Sequence, residues 1–502
     1  MVCVFGGACR RSRSSLWLLE VSQLTKNVSW QSLSVASQAA IQILMMSVFA
    51  RHVSPHEFGI LAVANIYLAF VTLFSTDGIS AFLVHEEELE DETVGLVFVV
   101  SALVASILLA LSWLLAGHIA MFFESKNSAL FIKVLSFILV VNAVTLPLEA
   151  LKQRSKNFSF IAKVNICSFI FGYFLIGLIG VFANWGIWAI VSATVGQSLT
   201  KFFLFIVLSN PHLSNKNIKM GPAMHKLKSF ALSMTSIKLL QYFSVNIDRM
   251  VAGKKLGVED LGIYQMYNQI ITLPSRYVGN ITDTAIFSHM ARLRNDPVKA
   301  KSIHITSLQN VFIIIFPAVI LLSYFSTEFI GFFLGVDWLI HSTVFSVLVV
   351  SVVFRLLYRI NNSAIRAFGD LKNSLLVNVL FLLLLVVGLF FFSHRGLAYI
   401  ALVITVSFAF ASMMQIVIMN RYMRWDSKDL VRSVKLPFFS SGCSMLSILV
   451  VEMVGLHSRF SIIVTALTCF MLFFYVITFL LRDEFKSTLV GKIFSKLGVW
   501  NE

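Results

Sequence analysis

The sequence predicts an all-α polytopic membrane protein of about fourteen transmembrane helices: two pseudo-symmetric six-helix lobes plus two C-terminal helices. Three observations predict it. First, apolar stretches of about 20 residues, enough to cross a bilayer core, recur from Val28 to Leu481. Second, hydrophobic residues make up 58% of the chain and charged residues 13%, and the mean hydropathy is +0.84; a soluble domain carries about 25% charged residues. Third, one phrase occurs twice, each time opening an apolar span. Ala50-Arg51-His52-Val53-Ser54-Pro55-His56-Glu57-Phe58-Gly59-Ile60 matches Gly253-Lys254-Lys255-Leu256-Gly257-Val258-Glu259-Asp260-Leu261-Gly262-Ile263. A duplicated membrane protein suggests two lobes with a site between them, as in transporters.

Hydropathy and turn residues place helices at 28–50, 58–82, 94–122, 130–150, 160–182, 185–209, 229–251, 261–285, 303–324, 340–362, 374–392, 396–419, 436–455 and 460–481. The fifth and sixth are separated only by Asn184 and its neighbours. Segment 325–339, with Gly331, Gly335 and Trp338, reads as an interfacial loop. The expected organisation is a cytoplasmic tail at 1–27, an N-lobe at 28–209, a cytoplasmic inter-lobe loop at 210–228 and a C-lobe at 229–419. The last two helices with their preceding loop occupy 420–481, and a cytoplasmic tail follows at 482–502. The basic first 22 residues hold an apolar run, Leu16 to Leu19, too short for a signal-peptide core.

Loop charge sets the orientation. With the N-terminus inside, about 27 Lys and Arg fall in inner loops and about 7 in outer ones, so the positive-inside rule places both termini in the cytoplasm. The acidic run from Glu86 to Glu92 lies in an inner loop, and acidic residues weigh little in that rule. The net charge of +15 follows from the same bias. No basic run is dense enough, or carried on a soluble module, to read as a nucleic-acid surface. Of the five cysteines, Cys167, Cys443 and Cys469 sit inside apolar spans, and Cys3 and Cys9 lie in the tail. No spacing matches a metal site, and no disulfide is expected. No inner or outer loop is long enough to fold as a domain, so function must reside in the helical bundle.

The duplication continues into the helices: Gln38 faces Gln241, Gly59 faces Gly262 and Asn65 faces Asn268. A looser match pairs Leu148-Glu149-Ala150-Leu151-Lys152 with Asn362-Ser363-Ala364-Ile365-Arg366. Polar residues recur at helical spacing: Ser34, Gln38 and Gln42 on the first helix, and Tyr264, Asn268, Thr272, Arg276 and Asn280 on the eighth. The seventh carries Lys238, Gln241, Asn246 and Asp248, and the tenth carries Arg355 and Arg359. A charge at the membrane centre costs about 2.5–3.5 kcal/mol, so these residues should face a wet cavity or a partner. Two readings stand for each. Arg276 either lines a cavity or forms a structural pair, and Lys238, Arg355 and Arg359 either line it or snorkel to the cytoplasmic surface. Asp248 beside Arg249 is either a local ion pair or a coupling group; Asp77 and Asp283, near inner helix ends, are either solvated or coupling. The Gln and Asn stripes are either ligands or interhelical glue. No Walker A, HExxH or CxxC motif is present, so the chain is not expected to be an enzyme.

The stretch Leu239-Leu240-Gln241-Tyr242-Phe243-Ser244-Val245-Asn246-Ile247-Asp248-Arg249-Met250-Val251-Ala252-Gly253, continued by Leu256 to Tyr264 and Leu273-Pro274, resembles the signature of the polysaccharide-transport, Wzx-like flippases of the MOP superfamily. Val53-Ser54-Pro55-His56-Glu57-Phe58-Gly59-Ile60 and Asp77-Gly78-Ile79-Ser80-Ala81 fit the same pattern, and the resemblance covers the chain after residue 24. It implies a multi-pass protein of the bacterial inner membrane that flips undecaprenyl-diphosphate-linked oligosaccharide, a unit of O-antigen, capsule or exopolysaccharide. It implies arginines in a central cavity that meet the diphosphate, and Arg276 occupies the matching region. The first helix lacks the charged cluster of lipid II flippases, which argues against that cargo.

The expected site therefore comprises Arg276, Lys238, Arg355 and Arg359 against the diphosphate, and Gln38, Gln42, Gln241, Asn65 and Asn268 against sugar hydroxyls. Asp248 or Asp77 would carry a coupling H+ or Na+, with no other cofactor. Expected partners are the lipid-linked oligosaccharide and bilayer lipids, together with a polysaccharide polymerase and chain-length machinery. Three rivals are a MATE-like cation-coupled antiporter, a membrane glycosyltransferase or polymerase, and a non-transporting component of an export complex. The first would place an acid deep in the N-lobe, and the second would need a large outer loop or catalytic domain.

Overall fold

The computed structural model describes residues 6–75, 77–86, 91–209 and 222–453, with positions 465, 468 and 471. Every regular element among them is helical. The chain divides into two compact units, Met1–Asn246 and Ile247–Glu502.

Unit 1 holds α1 (Gly6–Ala50), α2 (Pro55–Ser75), α3 (Asp77–His85), α4 (Asp91–Phe122) and α5 (Ser128–Arg154). It continues with α6 (Phe158–Cys167), a π-helical stretch Ser168–Leu175, α7 (Ile176–Phe182) and α8 (Ile187–Ser209). The division falls inside α9 (Pro222–Lys255). Unit 2 continues with α10 (Val258–Arg292), α11 (Pro297–Tyr324), α12 (Ser326–Phe333), a 3-10 turn Val336–His341, α13 (Ser342–Ala367), α14 (Leu371–Phe392), α15 (Leu397–Met423) and α16 (Ser427–Met453).

Polar residues at the helix ends explain several boundaries. The backbone N–H of Ser54 donates to Glu57 Oε2 at 2.9 Å, and the Glu57 N–H donates back to Ser54 Oγ at 3.3 Å. This reciprocal box opens α2, with Pro55 at the first helical position, where its missing N–H costs nothing. Asn157, Asp296 and Asp370 accept backbone N–H bonds at the starts of α6, α11 and α14. The narrow divide between the fifth and sixth expected spans is a real reversal. Asn184 and Gly186 take φ of +54° and +55° between α7 and α8, a backbone region that Asn and Gly enter more readily than other residues.

Both units use the same packing scheme. In unit 1, α5 packs against α2, α4 and α8, and the α6–α7 run packs on α8. In unit 2, α13 packs against α10, α11 and α15, and α14 packs on α15. The order of partners along the chain is the same, so the sequence duplication is also a duplication of packing. α16 packs on α11, outside the repeat.

Eleven of the described helical segments are long and apolar enough to cross a membrane. The fourteen expected include two more that are helical but polar, α9 and α10, of 34 and 35 residues. Each is about 50 Å long at 1.5 Å per residue. The expected span 460–481 lies outside the described residues apart from the three isolated positions, as does the loop stretch 210–221. Segment 325–339 is not an open loop: α12 and the 3-10 turn fill it, with Trp338 fully buried and its carbonyl accepting the Tyr267 hydroxyl. At eight residues, α12 is about 12 Å long and does not span a bilayer.

Candidate functional site: a buried polar cluster in the second unit

The polar residues of unit 2 converge from three helices. Asp248, on the last turns of α9, is 5% exposed, and its Oδ2 accepts the Tyr264 hydroxyl of α10 at 2.6 Å. The charges of Arg355, on α13, and of Arg249 act on this pair. Arg355 Nε donates to Ser351 Oγ at 3.2 Å, and its guanidinium lies 4.8 Å from the centroid of the Phe408 ring on α15. The arginine is thus held between a hydroxyl and an aromatic face, with a buried carboxylate nearby. One turn below it, Arg359 donates to the Ser275 carbonyl at 2.7 Å, tying α13 to α10 just past Pro274.

The cluster leaves acceptors open. Asp248 Oδ1, Gln265 Oε1, Asn268 Oδ1 and Ser275 Oγ are buried without a hydrogen-bond partner among the described residues. Asn268 is 2% exposed and lies one turn from Tyr264. Buried polar groups are almost always satisfied, so each of these atoms calls for a water or ligand partner; those of Gln265, Asn268 and Ser275 spread over about 15 Å of α10. Among the described residues, no group of three or more His, Cys, Asp or Glu is placed to hold a metal ion.

The remaining expected residues are more scattered. Arg276 is exposed on α10. Gln38 Nε2 donates to Ser34 Oγ at 2.8 Å, and Ser34 Oγ donates to the Ala162 carbonyl at 3.4 Å; this links α1 to α6. Gln42 and Lys238 are half-buried, while Asn65 and Gln241 are exposed. The side chains of Asp77, Asn280 and Asp283 lie outside the described residues. The structure brings together Asp248, Asn268 and Arg355, with Arg359 one turn away. Arg249, weighed beside Asp248 in the sequence, joins them, and the structure adds Ser351, Gln265, Ser275 and Phe408, which no motif singled out. Only the helical spacing of Ser351, Arg355 and Arg359 signalled any of them.

The duplication supplies an internal control. At the repeat offset that pairs Gln38 with Gln241, Asp248 corresponds to Met45, Arg249 to Met46 and Tyr264 to Leu61. Those three are 0%, 3% and 4% exposed. The corresponding sequence positions in unit 1 are thus apolar and buried, with Met45 packed among Phe49, Val181, Ala189 and Ala193.

A family model described as "Polysaccharide biosynthesis protein" matches residues 48–343, more than half of the chain. The teichuronic acid biosynthesis protein TuaB of Bacillus subtilis is 22% identical over 351 residues, covering 69% of this chain and 72% of its own. The lipopolysaccharide biosynthesis protein WzxC of Escherichia coli is 20% identical, covering 62% and 63%. In fold, the chain is similar to the inward closed lipid II flippase MurJ, with a TM-score of 0.73 at 16% identity, over 90% of this chain and 98% of that one. A multi-pass helical fold duplicated into two units, the signature around Asp248 and the family match lead to one assignment: the chain belongs to the polysaccharide biosynthesis protein family.

Proposed function

We propose that this protein flips undecaprenyl-diphosphate-linked oligosaccharide repeat units, of the O-antigen, capsule or exopolysaccharide type, across the bacterial inner membrane by alternating access. Both termini lie in the cytoplasm. The supporting observation is the Asp248–Tyr264–Arg355 cluster, whose buried Asp248 and Tyr264 correspond in the sequence repeat to the apolar Met45 and Leu61. Family membership and the names of its relatives supply the substrate class. Burying charge in a membrane is costly, which favours a working role for the cluster.

In this reading Arg355, Arg359, Arg276 and Lys238 neutralise the diphosphate. A guanidinium offers paired donors to phosphate oxygens in a low-dielectric site. Asn268, Gln241, Asn65 and Gln42 hydrogen-bond sugar hydroxyls. Gln38 is already committed to Ser34, so its role there is weaker. Asp248 carries the coupling H+ or Na+, with Asp77 as the second candidate. The protein catalyses no covalent step, and its cargo passes to a polymerase and chain-length machinery.

The test is flipping of a lipid-linked oligosaccharide in reconstituted vesicles by wild type, Arg355→Ala and Arg276→Ala. Loss of flipping with folding retained in either variant supports the reading. Unchanged flipping in both removes the arginines from the site. Efflux of lipophilic cations by the wild type, without flipping, would favour the antiporter reading.

A further inference from the structure

A groove of about 440 Å³ opens in unit 1 between the end of α2, the middle of α4 and one face of α9. Its α9 wall follows Met224, Lys228, Ala231, Thr235 and Leu239, steps of three and four that make one continuous stripe. From Met224 to Leu239 this stripe is about 22 Å long at 1.5 Å per residue. Leu73 and Val104 stand opposite, and the small Ala231 and Thr235 hollow the middle of the stripe. Thr235 brings no polar demand, because its hydroxyl already donates to the Leu73 carbonyl at 3.3 Å. Lys228 is the one charged residue among the described lining residues. It is exposed near the first turns of α9, and no ion pair to a described residue engages it.

We infer that this groove binds the hydrocarbon chain of a polyprenyl phosphate, with the phosphate against Lys228. Three properties select that occupant. An α-helix of the same length, 10–12 Å across, would need about 1,700–2,500 Å³, more than the roughly 1,070 Å³ of empty space in the groove and its mouth, so the groove takes an extended chain rather than a helical protein segment. A two-chain phospholipid would place only one of its two chains there, whereas the phosphate-proximal isoprene units of a single polyprenyl chain fill the whole wall of about 22 Å. The sole cation sits at the end that the proposed orientation puts at the cytoplasmic surface, where a lipid phosphate lies. The polyprenyl identity and the sidedness rest on the flippase reading above; the groove itself does not.

Native mass spectrometry of the purified full-length protein, titrated with undecaprenyl phosphate, undecaprenol or phosphatidylglycerol, tests the inference. Ala231→Phe fills the hollow from α9 and Val104→Phe fills it from α4, so misfolding of one leaves the other as a test. Each is expected to weaken the undecaprenyl phosphate adduct by about tenfold, equivalent to about 1.4 kcal/mol. Lys228→Gln is expected to weaken that adduct several-fold and leave undecaprenol unchanged. Adducts undiminished in both filled variants, or phosphatidylglycerol competing on equal terms, would overturn it. Wild-type flipping is measured alongside. Active flipping with undiminished adducts refutes the groove alone. Absent flipping refutes the functional reading, while the adducts still decide the groove.

Discussion

Replacing the charged cluster of unit 2 with hydrocarbon of similar volume separates its structural from its functional role. The perturbation is Asp248→Met alone, compared with the fourfold change Asp248→Met, Arg249→Met, Tyr264→Phe and Arg355→Met. The single change removes the acceptor 2.6 Å from the Tyr264 hydroxyl and the carboxylate whose charge acts on Arg355. Stranding buried charge by removing one partner costs about 3–5 kcal/mol. At about 2–4 °C per kcal/mol for a unit of this size, the melting temperature should fall by some 6–20 °C. The fourfold change leaves nothing stranded, and such replacements range from neutral to about 4 kcal/mol stabilising. Met45, Met46 and Leu61, at the matching positions of the sequence repeat, are apolar and buried. The fourfold variant should therefore melt at or above wild type yet flip no lipid-linked oligosaccharide in vesicles. Wild-type flipping by that variant would make the cluster mere packing. A fourfold variant as unstable as the single one would show that the charges hold the fold, and the contrast between the units would lose its meaning.

Three further outcomes are expected. In Gly172→Ala the new Cβ would lie 2.4 Å from Gln197 Cα and 2.6 Å from the Gly196 carbonyl oxygen, so α8 must shift at a cost of about 1–3 kcal/mol. Gly117→Ala, with nothing within 4 Å of its Cβ, should stabilise α4 by about 0.5–1 kcal/mol; thermal unfolding of both, side by side, checks the contrast. Ser54→Ala breaks the reciprocal box at the start of α2 and should cost about 0.5–2 kcal/mol, read as faster amide exchange in the first turn. Burial alone would raise the Asp370 carboxyl, but hydrogen bonds from the Tyr422 hydroxyl at 2.5 Å and from Asn373 hold it below the usual carboxylate range. A lowered value in the folded state contributes stability above the unfolded value, near 4, and that stability is lost as pH falls through the folded one. Melting curves from pH 6 downward should show Asp370→Asn losing less stability on acidification than wild type.

Elements that depend on local chemistry were legible in the sequence. The second helix is expected from 58, and the structure starts α2 three residues earlier at Pro55, where Ser54 and Glu57 form a cap that local sequence spells out. The repeated phrase likewise foretold two units with one packing scheme, because homologous helices carry the same apolar faces to the same neighbours. The eight-residue π-helical stretch left no such mark: it arises where Gly172 and Gly196 let two backbones approach, a contact between residues far apart in sequence. Among candidate site residues, helical spacing put Gln38 on a stripe but did not show that Ser34 occupies its amide. Spacing and the family resemblance together put Arg276 ahead of Arg355. The structure separates them, leaving Arg276 exposed and fastening Arg355 between Ser351 and Phe408.

Residue order alone settled the bilayer as the solvent, the duplication and most helix limits, since transfer energy, periodicity and capping act within a turn or two of the chain. Tertiary structure decided which polar groups meet. Asp248 reaches Tyr264 across a helix reversal, and both feel Arg355 from a helix about 100 residues further on. Such meetings depend on how helices rotate and cross, and those angles are set by the whole packed face rather than by any one segment.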